Sequence, residues 1–298
     1  PESVANSIYD EILDFASYAF NKAHAVSYAI VAYRTAYMKR HYPQQYMAAL
    51  LTSVLESSTK VAEYIAECRE LGIKLLPPDV NESDANFTVA GENIRFGLVA
   101  IKGIGWGAIE ELVAERHENG LFTSFEDFCK RMSGKELNRR AVENLIRAGA
   151  FDGMGYKRKA LLQIAGAVID SISQAARDNI AGQYDLFGDF EAQSEASPQT
   201  IPIPDVEEFS ARDKMMMEKE VTGLYLTGHP MDEYRDAVRK VGAVPIGAIL
   251  GDFAADDGPQ RFADNQYVTV AGIISTMRTR TTRNNSLMSY VQLEDDTG

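Results

Sequence analysis

One stretch constrains the fold more than any other: Ile101-Lys102-Gly103-Ile104-Gly105-Trp106-Gly107-Ala108-Ile109-Glu110. Gly103 and Gly105 allow the backbone a positive φ or a close approach to a ligand, and Ile109, Leu112 and Val113 share one helical face just beyond. The segment therefore reads as a tight hairpin feeding a helix N-terminus, where unsatisfied amides attract anions, phosphate above all. Alone, a G-x-G-x-G pattern is short, and a plain tight turn explains it equally well. The pattern returns, however. A helix over Leu137–Gly149, with Val142, Leu145 and Ile146 inward and Gly149 closing it, leads into Ala150-Phe151-Asp152-Gly153-Met154-Gly155 and a new helix beginning Tyr156-Lys157-Arg158-Lys159. The chain thus carries two helix-hairpin-helix units.

Charge at first opposes a phosphate-binding role, because 30 Lys and Arg face 43 Asp and Glu, a net charge of −13, where a nucleic-acid binder is expected to be basic. The distribution removes the conflict. Residues 183–298 hold 20 acids and 10 bases, which leaves 23 acids and 20 bases for residues 1–182. Between Leu137 and Ala160 six bases (Arg139, Arg140, Arg147, Lys157, Arg158, Lys159) meet only Glu143 and Asp152. The second unit supplies the cations that the first lacks, and paired hairpins of this kind suit duplex phosphates without reading sequence. A helical core with surface arginines is the plainer alternative; the repeat favours DNA.

The remaining chain is read as mainly helical. Val4–Phe20 and a long helix through Arg40 come first, with Asn21 as a cap between them and Tyr28 in a stripe that spacing alone would bury. Pro43 starts the next helix, and Ser57-Ser58-Thr59 caps one with Val61, Ile65, Cys68 and Leu71 inward. Leu75–Asp79 is extended ahead of its prolines, and Phe87–Val89 with Ile94–Phe96 forms a small hairpin about Gly91. Asp205 is expected to cap a helix to about Val221, whose Met215, Met216 and Met217 fill core gaps. His229 reads as a turn residue, Asp232–Val241 as a helix and Ala243–Phe253 as an apolar connector. Tyr267–Ile274 and Leu287–Leu293 alternate as strands around a loop bearing Arg278, Arg280 and Arg283, the way an OB barrel begins. Cys68 and Cys129 have no metal-like spacing, the four His are scattered, and no run of about 18 apolar residues predicts a membrane span. A Leu186-Phe187 pair beside the polar tract Glu191–Thr200 reads as a docking peptide.

Taken together, the sequence resembles the alpha subunits of bacterial replicative, C-family DNA polymerases. The residues that carry the resemblance are Phe20-Asn21-Lys22-Ala23-His24 with Ser27-Tyr28-Ala29, Tyr42-Pro43 with Met47-Ala48-Ala49, Leu76-Pro77-Pro78-Asp79, Ile101–Gly105, Leu137-Asn138-Arg139-Arg140 and Leu224–Pro230. The resemblance implies the end of a fingers domain (1–70), a clamp-binding domain with both hairpins (71–188), an acidic linker (189–204), a helical connector (205–262) and the first strands of a truncated OB barrel (263–298). It places Asn21, Lys22, His24 and Ser27 toward the incoming nucleotide and DNA, with Lys22 the phosphate contact. Gln183-Tyr184-Asp185-Leu186-Phe187 fits the family's Gln-x-x-Leu/Met-Phe clamp peptide, in which Gln183 bonds at a pocket rim beside Asp185 while Leu186 and Phe187 fill the pocket. Duplex contacts are expected from Lys102, Gly103, Gly105 and Gly107 in the first unit and Arg139, Arg140, Gly153, Gly155, Lys157 and Arg158 in the second. The implied partners are duplex DNA, the sliding clamp and other replisome subunits in the cytoplasm, with no membrane. Mg is implied for a whole polymerase and no cofactor for this stretch, because the family's palm aspartates are not in it; the stretch is expected to bind rather than to polymerise. A helix-hairpin-helix protein of repair or recombination is the alternative.

Overall fold

The computed structural model describes residues 1–17, 22–55, 57–182, 201–255 and 258–297. It is mainly helical, as the sequence predicts. Helices α1 (Glu2–Ser17) and α2 (Lys22–His41) stand out from the rest with most side chains exposed. Tyr28, which spacing alone would bury, is 64 % exposed. Pro43 then opens α3 (Pro43–Ser53) at its first turn, where a missing N–H costs nothing. In α4 (Ser58–Glu70) Val61, Ile65 and Cys68 point inward and the Ser57 hydroxyl caps the start, whereas Leu71, expected inward with them, is the C-cap and is exposed.

A small sheet follows. Strands β2 (Thr88–Ala90) and β3 (Asn93–Arg95) form the expected hairpin about Gly91, and β1 (Leu75–Leu76) adds to β3 in parallel. The sheet packs on α3 and passes the chain to α5 (Trp106–Asn119), α6 (Phe125–Arg131), α7 (Arg139–Ala148) and the long α8 (Arg158–Gly182). Four phenylalanines tie these helices at their centre. Phe122 meets Phe128 at 5.0 Å, and Phe151 meets Phe125 and Phe128 at 5.2 and 5.0 Å, all edge to face, the arrangement that ring quadrupoles prefer. The buried thiols of Cys68 and Cys129 lie in the same core, and burial pushes them up to about 11 and about 12.

Beyond residue 200 the expectations need correction. Helix α9 (Ala211–Thr222) is capped by Ser210, whose hydroxyl accepts the Asp213 N–H, and not by Asp205. Residues 201–210 run without helix, and Asp205 is turned to Lys157 instead. Helix α9 packs against α7, and Ile201, Val221, Leu224 and Leu226 join the core beneath both hairpins. Of the three methionines, Met215 is buried while Met216 is about half exposed. His229 is the turn residue expected, its Nδ1 accepting the Met231 N–H at 3.1 Å. Helix α10 (Arg235–Val241) follows a short 3-10 turn, and the apolar connector proves to be helix α11 (Ile246–Phe253). The last two strands are β4 (Ile273–Thr281) and β5 (Leu287–Glu294), an exposed antiparallel pair. Arg278 and Arg280 lie within β4, opposite Tyr290 and Met288, rather than in the loop where they were expected; strand register continues through them until the Thr282–Ser286 turn. Among the described residues no helix is long and apolar enough to cross a membrane.

Candidate nucleic-acid interface

The first hairpin is the turn 101–105 between a short 3-10 turn and α5. Gly103 sits at φ +77° and Gly105 is the N-cap of α5, with open space where a side chain would be. A side chain at Gly103 would need a strained backbone, and its Cβ would approach the Asn144 Nδ2 to 3.0 Å. That proximity reflects a fixed contact: buried Asn144 on α7 donates to the Lys102 carbonyl at 2.7 Å. From the other side Lys102 N–H donates to the Val221 carbonyl of α9 at 2.7 Å. The turn is thus held between the helix of the second unit and the end of α9. At Gly107, the third glycine of the stretch, a Cβ would meet the Glu136 carboxylate.

Beside this turn lies an open cleft of about 710 Å³. Lys102, Arg139, Arg140 and Arg147 line it, with Glu143 and Glu220 as its acids. Arg139 is paired to Glu143 along α7 at 2.9 Å and Arg147 reaches Glu220 at 3.4 Å, while the Lys102 ammonium touches the Glu220 carbonyl at 3.3 Å. Arg140 has no ionic partner among the described residues, and its Nε lies 4.0 Å from the Cβ position of Gly103. Three of the six cations that the sequence assigned to the second unit, Arg139, Arg140 and Arg147, therefore converge on the turn of the first. Sequence reasoning did not select Arg147 or Asn144; the available signal was that both share one helix, and its helical spacing, with Arg140.

The second hairpin differs. Gly149 and Gly155 take the left-handed conformation at φ +84° and +79°, and the turn between them docks on the core through a Val80 N–H to Ala150 carbonyl bond of 2.9 Å. Gly153 lies against the Asp79 carboxylate, which a Cβ would overlap. Arg158 is the main correction. Its guanidinium is 1 % exposed and donates to Asp152 at 2.7–3.1 Å, to Glu218 at 2.9 Å and to the Arg147 carbonyl at 3.1 Å, so it cannot serve a phosphate. Burial opposes its charge, and the Asp152 and Glu218 carboxylates more than offset that, leaving its pKa raised. Glu218, wholly buried, also accepts N–H bonds from Leu226 and Thr227 at 2.9 and 3.0 Å, which completes its shell. Lys157 remains at the surface, paired with Asp205 at 2.7 Å.

Elsewhere, His24 and Ser27 are exposed on α2. The His24 ring lies 4.5 Å from that of Tyr28, and the Ser27 hydroxyl donates to the Ala23 carbonyl at 2.8 Å. Lys22 is the first residue of α2. Asn21 and the whole Gln183, Asp185, Leu186 and Phe187 peptide lie outside the described residues. Among the described residues no three His, Cys, Asp or Glu side chains are grouped as a metal site requires.

Residues 72–161 match the helix-hairpin-helix motif family, which agrees with the paired turns and defines this region as a helix-hairpin-helix domain. The particular relatives are DNA polymerase III alpha subunits. That of Mycobacterium tuberculosis is 40 % identical over 294 residues, that of Deinococcus radiodurans 36 % over 301 and that of Borreliella burgdorferi 34 % over 298. These alignments take in 98–100 % of this chain and 22–25 % of each relative. The resemblance read from the sequence is therefore borne out: the chain is homologous to bacterial replicative polymerase alpha subunits over nearly all of its own length and about a quarter of theirs.

Proposed function

We propose that this chain is the part of a replicative DNA polymerase alpha subunit that holds duplex DNA by its phosphates, so that the complete protein extends a primer without losing its template. The observation that carries the reading is the cleft beside the first hairpin, where Lys102, Arg139, Arg140 and Arg147 gather around an exposed glycine turn and Arg140 is without a counter-charge among the described residues. Cations and turn amides held in this way suit a backbone and not a base edge. Three phosphate contacts correspond to a salt slope of about −2.7 and a loss of ~40-fold in affinity between 50 and 200 mM salt. Fluorescence anisotropy of a labelled duplex should show that dependence, and Arg139→Ala with Arg140→Ala should flatten the slope by about 1 to 2. Salt-independent binding, or an unchanged slope in the double variant, would exclude the cleft as the phosphate site.

The same reading includes docking on a sliding clamp through Gln183, Asp185, Leu186 and Phe187, which rests on the fit to the family's peptide and on an apolar pair set in an acidic flank. Leu186→Ala with Phe187→Ala should abolish binding to a purified clamp; undiminished binding refutes the assignment. Asn21, Lys22, His24 and Ser27 are proposed on the same footing to border the nucleotide, and β4–β5 to begin an OB barrel.

A further inference from the structure

The anion-seeking end of the second hairpin is already filled by the chain itself. The first amides of a helix lack internal partners and favour negative charge. In α8 the N–H groups of Arg158 and Lys159 donate to the two oxygens of Glu208, at 2.8 and 3.2 Å. The Phe209 N–H adds a third bond to the same carboxylate at 2.8 Å. Just before Glu208 in the chain, Asp205 takes the ammonium of Lys157 at 2.7 Å. At the turn itself the Asp79 carboxylate faces Gly153. The first amides of α8, the Lys157 ammonium and the face of Gly153 are therefore each met by a carboxylate of this chain. Burial raises the Glu208 pKa, and the N–H groups of Phe209, Arg158 and Lys159 outweigh it, so Glu208 is held below its usual range and stays charged at neutral pH.

The covering segment is anchored on both sides. Ile201 packs on the core before it, and Ser210 begins α9 directly after it, with Glu218 of that helix buried against Arg158. An anion tethered so closely acts at a high effective concentration, against which a free phosphate must compete.

We propose that Asp205 and Glu208 form an internal phosphate mimic that excludes DNA from the second hairpin and so confines duplex binding to the cleft beside the first. The two hairpins then have different ligands: DNA for one, the chain's own acidic strap for the other. This rests on the DNA-binding reading above, and the experiment separates the two.

Anisotropy with a labelled duplex, over a salt series, would be measured on the full 298-residue chain and on Lys157→Ala, Asp205→Asn, Glu208→Gln, the Asp205→Asn/Glu208→Gln pair, and that pair with Lys157→Ala. In the native background Lys157→Ala should leave affinity within about twofold and the slope unchanged. The strap pair should bind more tightly, by about eightfold at 0.1 M salt for each additional DNA phosphate it engages, with a slope steeper by about 0.9 per phosphate. Adding Lys157→Ala to that pair should return the slope by about the share of one phosphate. The Asp205 carboxylate is 96 % exposed, so Asp205→Asn alone tests the idea should the Glu208 change disturb folding, as circular dichroism would reveal. A strap pair no tighter than native, or a Lys157→Ala variant that weakens the native chain, overturns the proposal. If strap variants bind more tightly while Arg139→Ala/Arg140→Ala costs nothing, the mimic stands and the cleft reading falls. If no variant binds duplex, both fall.

Discussion

Gly149 and Gly155 have nearly the same left-handed backbone, φ +84° and +79°, in very different surroundings. A Cβ at Gly155 meets nothing within 4 Å. At Gly149 it would overlap the Arg158 guanidinium, lying 2.9 Å from Cζ and 3.0 Å from an Asp152 oxygen. Gly155→Ala therefore strains only the backbone, at a cost of about 1–2 kcal/mol. Gly149→Ala carries the same strain and must also drive Arg158 out of a shell in which it and Glu218 are 1 % and 0 % exposed, and separating a buried pair costs about 3–5 kcal/mol. The total, about 4–7 kcal/mol, is a large part of the roughly 5–15 kcal/mol that holds a domain together. Urea unfolding followed by the single tryptophan, Trp106, on the first turn of α5, reports the domain directly. With a denaturant slope of about 2 kcal/mol per molar, Gly149→Ala should unfold about 1.5–2.5 M earlier than Gly155→Ala. Equal midpoints would refute the argument, because they would mean that the guanidinium yields to a methyl group without leaving its carboxylates.

Asn144→Ala removes the bond to the Lys102 carbonyl and should cost about 1–3 kcal/mol in the same assay; a change below about 0.5 kcal/mol would show that the bond does not fix the first hairpin. Glu115 is held down to about 2 by hydrogen bonds from Lys135, then Arg131 and Asn119. Its pKa is lower folded than unfolded, so its contribution is complete above the ordinary value of 4.5 and is lost as pH falls from there toward 2. A carboxyl resonance for Glu115 that titrates near 4.5 in the folded chain would contradict this.

Much of the architecture was legible because local chemistry and tertiary packing agree. Pro43 and Ser57 each mark a helix start by a mechanism confined to a few residues, and Val61, Ile65 and Cys68 repeat at helical spacing and are buried together. Lys102, Arg139 and Arg140 could be named in advance, but not their meeting, since a contact between a turn and a helix some forty residues later has no periodic signature. Arg158 misled for the same reason. In sequence it is one of three consecutive bases, and its burial depends on Glu218, an acid in a methionine-rich helix that no local rule connects to it. Asp205 had the form of a cap, yet Ser210 does that work, because the carboxylates of Asp205 and Glu208 are drawn to Lys157 and the start of α8. Long-range charge pairing outcompeted a local preference there.

The span between Arg158 and Glu218 also has a consequence for synthesis. Sixty residues separate these two partners, and at about 5–20 residues per second a ribosome needs roughly 3–12 s to make that length. During this interval the second hairpin has its arginine but not the buried acid that completes its surroundings, and burying the guanidinium with Asp152 alone would leave its charge short of partners. The hairpin domain is therefore finished late. The arrival of α9 brings Glu218, the second carboxylate against which Arg158 is buried.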